Sequence, residues 1–170
     1  VQDDYAAHVV IATISFFTDS IADIQGKIKC HIEEYSGLNY QVNLLKSIKG
    51  IGDRTAWQII AEINTEDGKT INPKAQVAHA GLAPREYQSG SSVNGKPRIC
   101  KTGNKRLRKS LYMPAVSAIV NNPIMKEFYE RLVSKGKPKK VALIAVIRKL
   151  LVLSIGILNN NKPFDENWLA

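Results

Sequence analysis

Cysteine is nearly absent from this sequence. Cys30 and Cys100 stand far apart in unlike contexts, with no Cys-x-x-Cys pair. Without a Cys/His cluster a structural zinc site has no ligand set, and two lone thiols point to a reducing compartment. The three histidines, His8, His31 and His79, form no ligand pair, and each reads as a helix-face residue. No metal site is therefore assigned to this chain. The longest apolar stretch, residues 141–158, is interrupted by Arg148 and Lys149. Central charges make it a poor bilayer span, so no membrane association is expected. No leader-type pattern opens the chain, and neither does a methionine. Val1 reads as a cut from a longer protein, with a missing N-terminal domain as the expectation. No internal repeat is visible and no strand is predicted.

What the sequence does have is positive charge. Its 170 residues suit one compact domain plus an appendage, and an apolar fraction of 44% fits a globular protein. A net charge of +9 and a pI near 9.6 favour a polyanionic partner, most commonly nucleic acid.

The predicted architecture is mainly α: a compact helical domain preceded by a long amphipathic helix. Residues 1–37 form the helical arm, in which Val10, Ile14, Phe17, Ile21, Ile24 and Ile28 recur at alternating steps of four and three. That is a coiled-coil seam. The arm is acidic, so it is not a nucleic-acid face. It reads either as a helix packed on the rest of the domain or as an oligomerising arm, and Ser36-Gly37 is expected to end it. Residues 38–170 form the helical domain. Within it, 38–64 read as helix, tight glycine turn, helix, around Ile48-Lys49-Gly50-Ile51-Gly52-Asp53-Arg54. This pattern resembles a helix-hairpin-helix, whose glycines permit close approach and whose second helix offers free N–H groups to a phosphate. Lys49, Gly50, Gly52 and Arg54 are the candidate contacts there. Asn72-Pro73 opens a short helix that Gly81 stops. Residues 82–102 lack helical periodicity and read as a basic Ser/Gly loop. Helical pattern returns near Asn104, with Pro114 expected to kink or divide it and another helix after Pro123. Residues 138–158 are the most apolar helix and the expected spine of the core.

Charge concentrates between residues 85 and 109. Arg85, Lys96, Arg98, Lys101, Lys105, Arg106, Arg108 and Lys109 face a single acid, Glu86, for a local net of +7. These cations straddle the Ser/Gly loop and a helix N-terminus, a combination suited to a phosphodiester. Inside the region lies Gln88-Ser89-Gly90-Ser91-Ser92. Serine becomes a nucleophile only when it is deprotonated or its developing charge is stabilised, and no local spacing identifies a base. On the residues alone this segment is a basic loop with several serines.

The order of these motifs adds a resemblance. Ile48-Lys49-Gly50-Ile51-Gly52 is followed by Ala80-Gly81-Leu82-Ala83-Pro84, then Ser89-Gly90, then Arg98-Ile99-Cys100-Lys101-Thr102-Gly103-Asn104 and Arg106-Leu107-Arg108. Over residues 42–130 this is similar to the C-terminal domain of the IS one-ten group of insertion-sequence transposases, which includes the Piv-type DNA invertases. The resemblance implies a recombinase in which Ser89 is the nucleophile and forms a covalent phosphoserine link to DNA. It implies backbone contacts from Arg85, Arg98, Lys101, Asn104, Lys105, Arg106 and Arg108. It also implies an N-terminal ribonuclease-H-like domain holding Mg2+ through four acidic residues, and in some members a guide RNA beside the DNA. Asp3, Asp4, Asp19 and Asp23 lie on the predicted amphipathic helix and do not fit that metal site. The expected cofactor is therefore none in this chain, with Mg2+ in the missing part. The expected compartment is the bacterial or archaeal cytoplasm, at the nucleoid, and the expected state is a homo-oligomer through the N-terminal helix. The rival reading is a helix-hairpin-helix module that binds nucleic acid without chemistry.

Overall fold

The computed structural model describes residues 2–63, 70–89, 93–100 and 102–165, with 2–4, 85–89 and 93–98 described by their backbone. It divides into two units, Val1–Tyr40 and Gln41–Ala170. The sequence boundary at 37/38 falls three residues before this division.

The first unit is dominated by α1, Gln2–Glu34, a helix of 33 residues. At about 1.5 Å per residue it is roughly 50 Å long. All six seam residues are exposed, from Ile28 at 38% to Ile14 at 60%. Exposed ion pairs at i,i+4, Lys27–Asp23 and Lys29–Glu33, lie along the helix. Ser36-Gly37 was expected to end this helix. It ends at Glu34, and Ser36 instead opens α2, Ser36–Lys46.

The second unit begins within α2. Val42, Leu44 and Leu45 are buried there, and a tight turn leads to α3, Asp53–Glu62. Ile48 and Ile51 anchor that turn from inside, with the Ile51 N–H donating to the Ile48 carbonyl at 3.0 Å. Its two glycines do different work. Gly50 has φ +109°, and a Cβ there would sit 2.9 Å from the Ala118 backbone nitrogen. Gly52 is the N-cap of α3, has extended backbone, and faces open space. No side chain caps α3. Asp53 is instead paired with Lys46 at 2.6 Å.

Next comes α4, Pro73–His79, whose N-cap Asn72 accepts from the backbone N–H groups of Lys74 and Ala75. The segment read as a loop contains a two-stranded antiparallel sheet, β1 (Pro84–Ser89) with β2 (Val93–Ile99). This corrects the sequence reading. Gly90, Ser91 and Ser92 lie outside the described residues. Composition misled because Pro97 argues against an interior strand, whereas in a pair both strands are edges and tolerate it. A register shift between Arg85 and Tyr87 also breaks the strict alternation.

Four helices complete the unit: α5 (Lys105–Ser110), α6 (Tyr112–Asn121), α7 (Pro123–Ser134) and α8 (Lys139–Asn160). Pro114 divides α5 from α6 as expected. A ring at that position removes a helical N–H and crowds the carbonyl four residues earlier, and the break falls at Leu111. Asn122 is fully buried, and its Oδ1 caps α7 through the N–H groups of Ile124 and Met125. The core spine is α8, with Ala142, Val146, Leu150, Leu151, Ile155 and Leu158 buried along one stripe. Both α1 and α8 are long and apolar enough to cross a bilayer, but half of the α8 stretch is buried inside the protein, as a core helix would be.

Asn159 fastens the far end of α8. Its Oδ1 accepts from the Ile71 N–H at 2.9 Å and its Nδ2 donates to the Ile71 carbonyl at 2.8 Å. Asn159→Ala leaves both groups of buried Ile71 without that partner and is expected to cost about 2 kcal/mol in urea unfolding. Gly50→Ala combines a strained φ with contact on α6 and is expected to cost a similar ~2 kcal/mol. Wild-type midpoints for either variant would contradict these packing assignments.

Candidate nucleic-acid interface

Helix α4 ends in a complete glycine-type stop. Gly81 has φ +66°, its N–H donates to the Ala78 carbonyl, and the Leu82 N–H donates to the Val77 carbonyl at 3.0 Å. Leu82 and Val77, at the two positions whose apolar contact commonly accompanies this motif, are both buried. The Gly81-Leu82-Ala83-Pro84 element is therefore a helix stop that turns the chain out into β1.

The Gly103-Asn104 element closes on the same turn. The Asn104 N–H donates to the His79 carbonyl at 2.6 Å. Gly103 has φ +125°, and a Cβ on it would lie 2.1 Å from that carbonyl oxygen, so no side chain fits here. Asn104 caps α5 by accepting from the Leu107 N–H at 3.0 Å, and its Nδ2 donates to Glu62. His79 Nε2 lies 3.4 Å from the same Nδ2, and Gln58 donates to the other oxygen of Glu62 at 2.7 Å. Arg108 Nη1 donates to the Ala80 carbonyl at 2.8 Å. Two residues first read as phosphate contacts, Asn104 and Arg108, thus make intramolecular bonds that tie α5 to the end of α4 and to α3.

Between these clamps runs the hairpin. The Cys100 N–H donates to the Ala83 carbonyl at 3.0 Å and fixes its base. The register then pairs Pro84 with Ile99, Arg85 with Arg98, Tyr87 with Gly95, Gln88 with Asn94 and Ser89 with Val93. Ser89 is the last residue of β1. It lies about 16 Å along an extended strand from Pro84, at the end remote from the Ala83–Cys100 anchor. Arg85 and Arg98 share one register position near the base. Lys101 lies outside the described residues.

Lys105, Arg106 and Lys109 are exposed on α5, and Arg108 is half-buried. In the α2–α3 turn Lys49, Gly52 and Arg54 are exposed, while Gly50 is turned inward against α6. Among the described residues no three His, Cys, Asp or Glu side chains converge. These residues thus do not fit the acidic metal site that the resemblance implies. Glu62 is not singled out by the sequence, and His79 reads there only as a helix-face residue. Nothing in their local spacing signals them, because Asn104 meets Glu62 across 42 residues of chain.

The model of the transposase IS116/IS110/IS902 family matches residues 42–130, which run from α2 through the clamp and hairpin into α7. Over 155 residues, 90% of this chain, it is 38% identical to the pilin gene-inverting protein of Moraxella lacunata and covers 48% of that protein. The pilin gene-inverting protein of Moraxella bovis is 37% identical over the same length. An uncharacterized protein of insertion element IS110 from Streptomyces coelicolor is 28% identical over 128 residues, 31% of its length. The chain spans about half or less of these curated relatives. With more than half of its residues matched by the family model, it belongs to the IS116/IS110/IS902 family of transposases.

Proposed function

We propose that this chain is the strand-engaging half of a DNA recombinase, in which the hairpin and α5 hold a sugar-phosphate backbone and Ser89 supplies the nucleophile. The observation that supports it most is the clamp. The Gly81 stop, the Gly103-Asn104 closure and the Arg108 bond tie the base of a basic hairpin to the start of a basic helix. Arg85 and Arg98 share one register position of the strand pair, so two residues of a cationic type stand at one level near the base of the hairpin. Lys105, Arg106 and Lys109 extend the cationic surface along α5.

The serine Oγ would attack phosphorus. An Oγ–P bond forms as the bond from phosphorus to the leaving sugar oxygen breaks, the serine proton passes to a base, and the leaving oxygen takes up a proton. The resulting phosphoserine ester keeps the bond energy for religation to a second strand. Arginine and lysine neighbours would stabilise the charge on the non-bridging oxygens. The second glycine turn, with Lys49, Gly52 and Arg54 exposed, would grip a further phosphate in the manner of a helix-hairpin-helix. Magnesium would belong to a ribonuclease-H-like domain outside this chain. A guide RNA would lie on the same backbone-binding surface as DNA, and the protein would work in the cytoplasm at the nucleoid. The exposed seam of α1 would pair with that of a second copy, as a/d seams do.

In the complete recombinase, Ser89→Ala is expected to abolish the covalent protein–DNA adduct on a denaturing gel, and Ser91→Ala to retain it. Adduct at the unaltered level with Ser89→Ala would remove Ser89 from the chemistry. DNA binding with no adduct from either protein would leave a backbone-binding module in its place. For binding, Lys105→Ala with Arg106→Ala should weaken all DNA sequences alike and reduce the slope of log affinity against log salt by about 2. Arg108→Ala should differ by also lowering the melting temperature, because it removes a bond to the Ala80 carbonyl. Equal melting points for all three would show that Arg108 has no structural share. Ile21→Asp with Ile24→Asp should halve the mass seen in sedimentation, and an unchanged mass would end the α1 pairing.

A further inference from the structure

A second cationic surface lies at the α7–α8 turn, apart from the motifs of the family. From Arg131 to Lys149 the chain carries Arg131, Lys135, Lys137, Lys139, Lys140, Arg148 and Lys149 and no acid. Residues 134–141 are exposed without interruption. Among the described residues, none of Lys135, Lys137, Lys139 and Lys140 is paired with a carboxylate.

The turn that carries them is well built. Gly136 has φ +77°, its N–H donates to the Val133 carbonyl at 2.9 Å, and the Lys137 N–H donates to the Leu132 carbonyl at 3.1 Å. Pro138 then fixes the entry to α8, and its carbonyl accepts from the N–H groups of Val141 and Ala142. The lysines therefore stand on fixed backbone. Further along, Phe128 is flanked by two cations, with Arg131 at 5.5 Å and Lys149 at 4.5 Å from its ring centre. Burial, and then the charge of Arg131, hold the Lys149 ammonium below the ordinary lysine range, with Glu127 opposing. Like charges crowded this way favour a bound anion. The positive end of the α8 dipole has the same sign.

We infer that the α7–α8 turn is a second docking surface for duplex DNA, gripping the phosphate backbone through Lys135, Lys137, Lys139 and Lys140. This inference rests on the proposed role in DNA engagement and adds a contact that the hairpin and α5 do not provide. A duplex fits better than a single strand because the exposed residues 134–141 include no aromatic ring on which a base could stack. Single-strand binders place exposed aromatic rings among their cations, whereas Phe128, half-buried, is already occupied by Arg131 and Lys149. The turn lies a full α8 length, about 30 Å, from the Asn159–Ile71 fastening at the other end of that helix.

The test is a salt titration of the whole chain on a short DNA duplex and on a single-stranded RNA of equal length. The protein is compared with K135Q/K137Q/K139Q/K140Q, and with K74Q/K126Q/K162Q as a control for bulk charge. The quadruple variant is expected to lower the duplex salt slope by about 3 and to weaken duplex binding at least tenfold near physiological salt. Its RNA binding should be nearly unaltered, and the triple variant should change the duplex slope far less. Its melting temperature should hold or rise, since repulsion is relieved, which separates lost contact from lost fold. An unchanged duplex slope, a loss confined to RNA, or an equal loss in the triple variant would overturn the inference while the Ser89 hairpin reading stands. Failure of the unaltered chain to bind duplex at all would overturn both.

Discussion

The His79 carbonyl is the point on which the candidate interface depends. Gly103 approaches it so closely that no Cβ fits between them, and the neighbouring Asn104 N–H bonds to it. Residue 103 must also take φ +125°, which glycine adopts without strain. From this one contact follow the start of α5, the seating of Asn104 on Glu62 and the reach of Arg108 to Ala80. The strands of the hairpin leave and re-enter the domain between Ala83 and Cys100. The hairpin base and the basic helix are thus held by one construction, and neither can shift without disturbing the other.

Much of this fold was legible in the sequence because its signals are local. Asn72-Pro73 and Pro123 mark helix starts, Gly81 marks a stop, Pro114 divides two helices, and the stripe from Ala142 to Leu158 marks the spine. Each rests on a backbone preference that one or two residues carry. The strand pair was not legible, because Pro97 and the shift after Arg85 disguise its alternation. The clamp was not legible for a different reason. Asn104 and Arg108 look like cation-region contacts by composition, and only the tertiary partners Glu62 and Ala80 reveal that their side chains hold the scaffold. Gly50 was read as a residue that meets a ligand, and its close approach proves to be to Ala118. A motif glycine permits proximity, and sequence alone leaves the neighbour open.

Charge distribution separates two kinds of basic residue. Lys46 is neutralised by Asp53, and Arg108 is engaged by a carbonyl; both contribute to the fold. Lys105, Arg106 and Lys109 on α5, and the lysines from 135 to 140, are exposed. Solvated like charges close together add repulsion and little packing, so a fold gains nothing from clustering them. The charge of the α7–α8 turn is plain in the sequence, and the turn lies beyond the segment matched by the family model.

The position of Ser89 is where the fold meets the proposed chemistry. A nucleophile that forms a covalent bond to a duplex must reach phosphorus without driving the protein surface into the grooves. A residue within the helical core could not do so, because the core side chains of α3, α5 and α8 are fully enclosed. The end of a two-stranded hairpin meets the requirement: it projects its backbone while its base stays bonded to the domain at Ala83 and Cys100. The same geometry carries a penalty, since an isolated strand pair is only marginally stable in water. The clamp on His79 is the physical answer to that weakness, which gives a reason for the Gly81-Leu82-Ala83-Pro84 and Gly103-Asn104 elements to bracket the serine in sequence.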